Sequence, residues 1–497
     1  MKKRLSLLLA LLLLVAAVAV ACSDPQSNPA ESSSQTSKTL GDESSEAFYG
    51  SDLPVEHSLD GYEMTVYQKM PDLTAVSYTL FWDEEIGADN KIDESIYNRN
   101  MTVSDRYDFT VYTVYEANDV TPKLNALILA NDDTYDVGLV SAKLFYRTLT
   151  ADTYQDLNEI PYLDLSKPYW DGNYNEQVSL MDKSYSATGD ILLTDDDSQM
   201  VMVWMKEVAE DFQIGDLYEV ARNNAFTYDV VLESIRKVKT DFDNDGYSIG
   251  DDRMGMLYAF NNVTYPLLTA ADCRLFSKNE ESLPEIINDV NHLDDVVNSI
   301  QTLLLEEGNA FDWINGFGNG DALAQRAGVI SIMNSGRVLF VMPLLSNVRR
   351  TYASVEADFG ILPLPKYDEQ QEDYRTMLYG DYQVVAVPAT TKDTQSVGFI
   401  LEALAAASGN ITNSYYEVTL ENRYLRDPLQ DMEMLALARS SVWYDLANIY
   451  EWGAFGTQID MLCLGNSRKN VASIYDSYAD SSTAVMQSYL EALTQKE

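Results

Sequence analysis

"DFTVYTVYEANDVTPKLNALILANDDTYDVGLV", residues 108 to 140, carries three patterns in one uninterrupted stretch. "DFTVYTVY" reads as a strand, "VTPKLNALILAN" has the apolar spacing of an amphipathic helix, and "YDVGLV" is a second short strand pattern. Strand, helix and strand in that order form the repeating unit of a parallel sheet with its helix packed on one face.

The same alternation extends outward on both sides. Before it come "MTVYQK" and "VSYTLFW" as strands and "DESIYNRNMTVSDRY" as a helix, which together make one α/β lobe. From about residue 190 a second series starts with the strand "DILLT" and the helix "SQMVMVWMKEVAEDF". It continues through the strand "MGMLYAF", the helices "LDDVVNSIQTLLLEEG" and "DALAQRAGVISIM" and the strand "RVLFVM". After "DFGILPLPK" follow the strand "YQVVAVP", the helix "SVGFILEALAAAS" and a long helical tail from about 428 to 495. A chain of 497 residues exceeds one ordinary core, and two lobes are the economical reading. No internal repeat of solenoid period is present.

The N-terminal residues set the expected compartment. "MKKRLSLLLALLLLVAAVAVAC" has a basic start, an apolar run and small residues before Cys22, the pattern of a lipoprotein signal. Its "AVAC" ending resembles a lipobox, so residues 1–21 are expected to be removed and Cys22 to carry lipid. The apolar run is shorter than the roughly 20 residues a membrane span needs. Residues 22–56 read as a flexible tether; Ser23 to Ser45 alone hold eight Ser and almost nothing apolar, a composition that cannot offset the entropy of folding.

Charge excludes further classes. Asp and Glu number 78 against 34 Lys and Arg, a formal −44, and losing Lys2, Lys3 and Arg4 with the leader takes this to −47. Such a field repels nucleic acid and anionic lipid. Beyond Cys22 only Cys273 and Cys463 remain, too few for a disulfide framework, and whether they bridge is open at this level. His57 and His292 have neither each other nor a cysteine at ligand spacing, so zinc hydrolysis and a histidine-based triad lose support.

"TDFDNDGYSIGDD", residues 240 to 252, stands out of this acidic background by its spacing. Asp241, Asp243 and Asp245 alternate, Gly246 allows a sharp turn, and the carbonyl of Tyr247 falls where calcium loops use backbone oxygen. Asp251 or Asp252 completes the set. The helix "FTYDVVLESIRKVK", capped by Thr227, precedes the loop and the strand "MGMLYAF" follows it, so this is not the helix pair of a sensor EF-hand. A structural calcium ion is the expectation, with an empty acidic turn as the alternative.

Six segments in fixed order carry a resemblance: "YNRNMTVSDRYDF", "DLNEIPYLDLSKPYWD", "FTYDVVLESIRKVKTDFDNDG", "DFGILPLPKYDEQQEDY", "VPATTKDTQSVGFILEALAAAS" and "YYEVTLENRYLRD". Behind a lipobox, and over nearly the whole chain after the tether, this resembles the bacterial extracellular solute-binding proteins of family 1, which serve ABC importers. The resemblance implies a two-lobed fold of the periplasmic-binding-protein type II kind, with a hinge and an interlobe cleft. On that reading lobe 1 comprises 57–188 and 359–415, and lobe 2 comprises 189–358 and 416–497. It implies a lipid-anchored, monomeric, extracytoplasmic protein that traps a small solute, most often a sugar, and hands it to a membrane permease. It also implies a calcium-type loop here, although the Asp251 and Asp252 pair sits about two residues later after Gly246 than is usual.

Ligands in open α/β sheets lie at the carboxyl ends of strands. That rule points to Trp82 and Asp83, Ser141, Asp195 and Asp196, and Asn261 and Asn262 with Tyr265 nearby. Aromatic faces with Asp and Asn suit neutral sugars. Asp381 in "YGDYQVV" and Trp452 in "YEWGAFG" are weaker candidates, and Trp170 in "KPYWD" reads as structural. Each has a plainer reading: Trp82 or Trp452 as core packing, Asp195–Asp197 as a solvated turn or helix start, Asn261 and Asn262 as loop formers. A surface sensor or adhesion module shares the cleft, and a glycoside hydrolase needs only paired carboxylates, but no local catalytic signature is present.

Overall fold

Residues 48–70, 91–259, 263–317, 321–380, 382–421 and 425–494 are described in the computed structural model. In it, Phe109–Glu116 and Val137–Ser141 are strands and Thr121–Leu129 is the helix between them, as the opening stretch requires. Both strands flank Tyr62–Lys69 and run parallel to it. The helix turns Leu124 and Ile128 inward. It packs so close that a Cβ on Gly138 would lie 2.4 Å from Leu124 Cδ2. Gln383–Ala386 adds a fourth, antiparallel strand against Val137–Ser141.

The second sheet is built from Met202–Met205, Met254–Tyr258, Ala310–Asp312, Val338–Val341 and Phe359–Leu362. Met254–Tyr258 lies between two parallel neighbours, Ala310–Asp312 and Val338–Val341, whereas Met202–Met205 pairs antiparallel with Val338–Val341 and Phe359–Leu362. Apart from Ala310–Asp312 these strands are buried along their whole length, which explains their continuous apolar composition.

Several parts of the chain differ from the sequence reading. The end of the expected tether is packed and not free, with Phe48 and Leu53 buried in the core beside Tyr107. The helix expected over residues 198–212 is split, because Met202–Met205 is a strand and only Lys206–Asp211 is helical. A strand buried on both faces shows no alternation, so its apolar run is indistinguishable from one side of a buried helix. "DILLT" is not a strand; its last residue opens the helical turn Thr194–Asp197. The tail is interrupted: Pro428–Ser440, Leu446–Tyr450, Phe455–Cys463 and Val471–Thr494 are separate helices, and Val442–Trp443 pairs with Thr376–Met377. In addition, Phe359–Leu362, assigned above to lobe 1, belongs to the second sheet through its ladder with Met202–Met205. The chain therefore returns to the first sheet only after it.

Three segments cross between the sheets and are held to one another. The first crossing runs through Ser198–Met200 and the second through Met377–Tyr379; Met200 N–H donates to Met377 O at 3.1 Å and Tyr379 N–H to Ser198 O at 2.9 Å. The third contains the π-helical stretch Ser414–Glu421, where Ser414 meets Ser95 of the helix Lys91–Tyr107 at 2.6 Å. Pro428–Ser440 follows and docks on the second sheet, Asp431 accepting from Ile361 N–H at 2.8 Å and from Tyr218 Oη at 2.6 Å.

Candidate ligand-binding site

The turn Thr194–Asp197 sits immediately before the first crossing and places three consecutive aspartates in the interior. Each is held by a different neighbour. Asp195 accepts from Thr188 Oγ1 at 2.9 Å, and Asp196 from Tyr416 Oη at 2.5 Å and Gln199 Nε2 at 3.3 Å. Asp197, fully buried, takes Arg349 through both oxygens at 3.2 and 2.6 Å and Tyr415 Oη at 2.7 Å. Successive tyrosines of the third crossing, on its π-helical stretch, thus grip successive aspartates of the turn that leads into the first.

Asp195 and Asp196 also face a cavity of about 180 Å³. Its lining also includes Tyr169, Trp170, Asp171, Asp190, Gln199, Leu378, Arg439 and Tyr444. Asp171 caps the helix Gly172–Val178 and accepts from Tyr444 Oη at 2.5 Å. Asp190 accepts from Thr412 Oγ1 at 2.8 Å. Arg439 stacks 4.8 Å over the Tyr416 ring and stands 3.6 Å from both Asp190 and Asp196, longer than a hydrogen bond. Trp170 donates Nε1 to the buried Glu402 at 3.0 Å, and Tyr169 also bonds that carboxylate.

Burial dominates the electrostatics. Asp195 is held well above the ordinary carboxylate range by burial and then by the charges of Asp196 and Asp171. Asp196 is pushed up to about 6 by burial, with Arg439 and Tyr416 pulling it down. Burial raises Asp190 in the same way. The pocket is a set of desolvated acceptors with a single guanidinium at its edge, suited to binding hydrogen-bond donors.

Of the residues singled out from sequence, Asp195 and Asp196 line this cavity. Three others lie elsewhere. Ser141 ends its strand in the interior opposite Gln383, and Tyr265 packs against Gly456. Trp452, 2 % exposed, is stacked on Tyr450 at 4.5 Å and edged by Phe276 and Tyr489, so it fills the core and offers no face to a solute. Trp82, Asp83, Asn261, Asn262 and Asp381 lie outside the described residues, as does Cys22. Arg439, Tyr444, Gln199 and Asp190 were missed, since they belong to helices and loops with no strand-end signal. Trp170, read as structural, is both tethered to Glu402 and part of the wall.

The acidic loop forms a separate centre. Asp241, Asp243, Asp245 and Asp252 each bring one carboxylate oxygen to within 4.8 Å of the others. Thr227 accepts from Val230 N–H and starts the preceding helix Tyr228–Val238, as expected. Asp252 occupies the twelfth position counted from Asp241, where calcium loops place their closing carboxylate, so its spacing from Gly246 is the ordinary one of such loops and not the late one expected above. Its side chain also accepts from Phe242 N–H at 2.9 Å and Ser248 N–H at 2.8 Å, which fixes it inward. Asp251 instead meets Ser248 Oγ at 3.4 Å. A hydrogen bond with Asp243 and then the charge of Asp243 raise Asp245, which shows how closely the carboxylates of this loop crowd. The donor set, hard oxygens around a glycine-turned loop, fits calcium. Cys273 and Cys463 are both buried free thiols, and burial pushes Cys273 up to about 12.

No family model and no curated protein matches the chain. Solved structures do. The galacto-N-biose-/lacto-N-biose I-binding protein of the ABC transporter from Bifidobacterium longum aligns with TM-score 0.54 at 12% identity, covering 86% of this chain and 98% of that one. The cyclic alpha-maltosyl-1,6-maltose binding protein from Arthrobacter globiformis gives 0.51 at 12%, covering 87% and 99%. An ABC substrate-binding protein from Listeria monocytogenes, in complex with cycloalternan, gives 0.50 at 11%, covering 88% and 100%. At such identity the likeness is one of fold: this chain has the two-lobed type II architecture those binding proteins share.

Proposed function

We propose that the protein is the solute-capturing component of an ABC importer and that its solute is a sugar or oligosaccharide. The observation that carries this is the cavity of Asp195, Asp196 and Arg439 beside the crossings between two α/β lobes, in a fold that sugar-binding proteins share. Closure of the lobes buries the solute, and the closed form is what a permease recognises. The desolvated carboxylates accept hydroxyl hydrogens, and Trp170 and Tyr444 supply apolar surface. This is a binding reading, not a hydrolytic one, because the fold is the one that sugar-binding proteins share and the sequence carries no local catalytic signature.

The same reading places the protein outside the cytoplasm, lipidated at Cys22, with calcium held by Asp241, Asp243, Asp245, the Tyr247 carbonyl and Asp252. Calcium would act there as a structural clamp between the helix Tyr228–Val238 and the strand Met254–Tyr258. Mass spectrometry of membrane-extracted protein should find an acylated Cys22 at the mature N-terminus; an unmodified leader in that fraction would end the anchoring proposal.

Calorimetry over mono- and oligosaccharides tests the central claim. A binding sugar should raise the melting temperature, shrink the scattering radius and stay chemically unchanged on long incubation. Asp196→Asn should weaken its affinity by roughly tenfold or more, the value of a charge-assisted hydrogen bond of about 1.5–3 kcal/mol. Wild-type affinity in that variant would move the site out of this cavity, and release of a shortened sugar would make the protein a hydrolase.

A further inference from the structure

Tyr416 is buried and does not line the cavity, yet three side chains that do line it are seated on this one residue. Its Oη donates to Asp196 Oδ1 at 2.5 Å and accepts from Gln199 Nε2 at 2.9 Å, and Gln199 Nε2 also reaches Asp196 Oδ1 at 3.3 Å. The triangle is closed, so no member turns without breaking a bond to the others. Arg439 lies over the ring of the same tyrosine, 4.8 Å from its centroid. The three come from separate parts of the chain: Asp196 from the turn Thr194–Asp197, Gln199 from the first crossing and Arg439 from the helix Pro428–Ser440. Tyr415, next along the same π-helical stretch, supplies the contrast. Its Oη donates to Asp197 Oδ1 at 2.7 Å and its ring meets Arg349 at 5.5 Å, but neither of those partners lines the cavity.

We infer that Tyr416 is the positioning residue of the solute cavity: its hydroxyl aims the Asp196 carboxylate and the Gln199 amide, and its ring seats Arg439. This rests on the solute-capture reading and adds to it the residue that fixes the cavity's polar groups. The hydroxyl also bears on the charge of Asp196. Burial, and after it Asp190 and Asp197, push that carboxyl up to about 6, against Arg439 and Tyr416, while Asp195 beside it is itself raised by burial and by the charge of Asp196. Burial holds the Tyr416 hydroxyl well above its ordinary value, so it remains a donor. A folded-state value above the ordinary 3.8 means that ionising Asp196 costs stability, and the cost is felt as pH rises through about 6. Taking away the tyrosine's hydrogen bond raises the carboxyl further. The cavity then loses a charged acceptor for a solute hydroxyl.

Tyr416→Phe keeps the ring under Arg439 and removes only the hydroxyl, and urea unfolding of the full chain at pH 5 and pH 8 reads the consequence. The variant should lose about twice as much stability at pH 8 as at pH 5, because a bond to a charged acceptor is roughly twice as strong as one to a neutral group. With Asp196→Asn already in place, the loss should be the same at both pH values. An equal loss at both pH values without Asp196→Asn would make Tyr416 a packing residue and overturn the inference. Should Tyr416→Phe fold only together with Asp196→Asn, the link between hydroxyl and carboxylate is upheld; should it fold in neither form, the inference is overturned. Calorimetry with the panel of mono- and oligosaccharides then compares the neighbouring tyrosines. For a sugar that the wild type binds, Tyr416→Phe should weaken affinity roughly tenfold, whereas Tyr415→Phe, which removes an equivalent bond to an aspartate outside the cavity, should leave it unchanged. Equal affinities in the two variants would overturn the positioning role. The unfolding test uses no ligand, so its failure leaves solute capture standing, and a panel in which no sugar binds the wild type overturns solute capture while the unfolding result still decides the role of Tyr416.

Discussion

Asp445 and Asp197 are both buried acids, and they predict opposite responses to mutation. Asp445 caps the helix Leu446–Tyr450 by accepting from Asn448 N–H at 3.0 Å. Burial pushes it from the ordinary 3.8 up to about 6, against the backbone N–H groups and Arg274, which pull it down. A folded-state value above the unfolded one means that stability is fully present below about 3.8 and is lost as pH rises through about 6. The loss amounts to at most ~3 kcal/mol for a shift of that size. Asparagine caps a helix as well as aspartate does and carries no charge. Asp445→Asn should therefore stabilise the protein in urea at pH 8 and have little effect at pH 4; equal effects at both would contradict the burial argument. Asp197, by contrast, has Arg349 as a bidentate partner, and both side chains are buried. Removing one partner strands the other, so Arg349→Met should cost about 3 kcal/mol, with Arg350, 3.5 Å away, holding the loss at the low end. A urea midpoint unchanged by Arg349→Met would mean Arg350 had replaced the pair.

Among elements, legibility followed exposure. Phe109–Glu116 alternates buried and exposed over its first half, and its period of two was plain in the letters. Tyr228–Val238 shows a strong apolar side and a capping threonine, and it too was read correctly. Met202–Met205 was lost because burial on both faces removes the periodicity on which such reading depends. The site divides in the same way. Asp195 and Asp196 were reached by their position after an apolar run, although that run proved not to be a strand. Arg439 and Tyr444 reach the cavity only because the tail breaks at Ser441 and Val442–Trp443 pairs with Thr376–Met377, a long-range juxtaposition with no local sign. Trp452 was misplaced because an aromatic beside a glycine marks a bend without saying which side of it is solvent. Gly255, in the strand Met254–Tyr258, shows how tightly the elements meet: a Cβ there would lie 2.2 Å from Ile235 Cγ2 and 2.5 Å from Asn309 O. The helix Tyr228–Val238 sits on that strand with no room for a methyl group. Gly255→Ala should cost roughly 1–3 kcal/mol, measured by thermal or urea unfolding, and a neutral result would show that helix and strand separate freely.

For the whole molecule the governing quantity is charge. With 78 acidic against 34 basic side chains, self-repulsion opposes the compact state everywhere, and any salt relieves part of it. Calcium must therefore be tested against that background and not against buffer alone. Asp241, Asp243, Asp245 and Asp252 concentrate four of those charges within one loop, at the junction of a helix and a central strand of the second sheet. An ion there offsets repulsion locally and also ties the loop to its sheet. Extracellular calcium sites have dissociation constants of roughly 10⁻⁴ to 10⁻³ M. At about 10 mM calcium chloride, linkage then supplies on the order of 1.4–2.7 kcal/mol. For a chain of 497 residues this is a rise in melting temperature of roughly 1.5–3 °C over sodium chloride at equal ionic strength. Chelation should reverse the rise, and Asp252→Asn should abolish it while keeping the smaller response to sodium chloride. Asp251→Asn should leave it intact, because that carboxylate is turned toward Ser248. If sodium and calcium chloride at matched ionic strength gave the same melting temperature, the loop would hold no ion and the salt response would be screening alone.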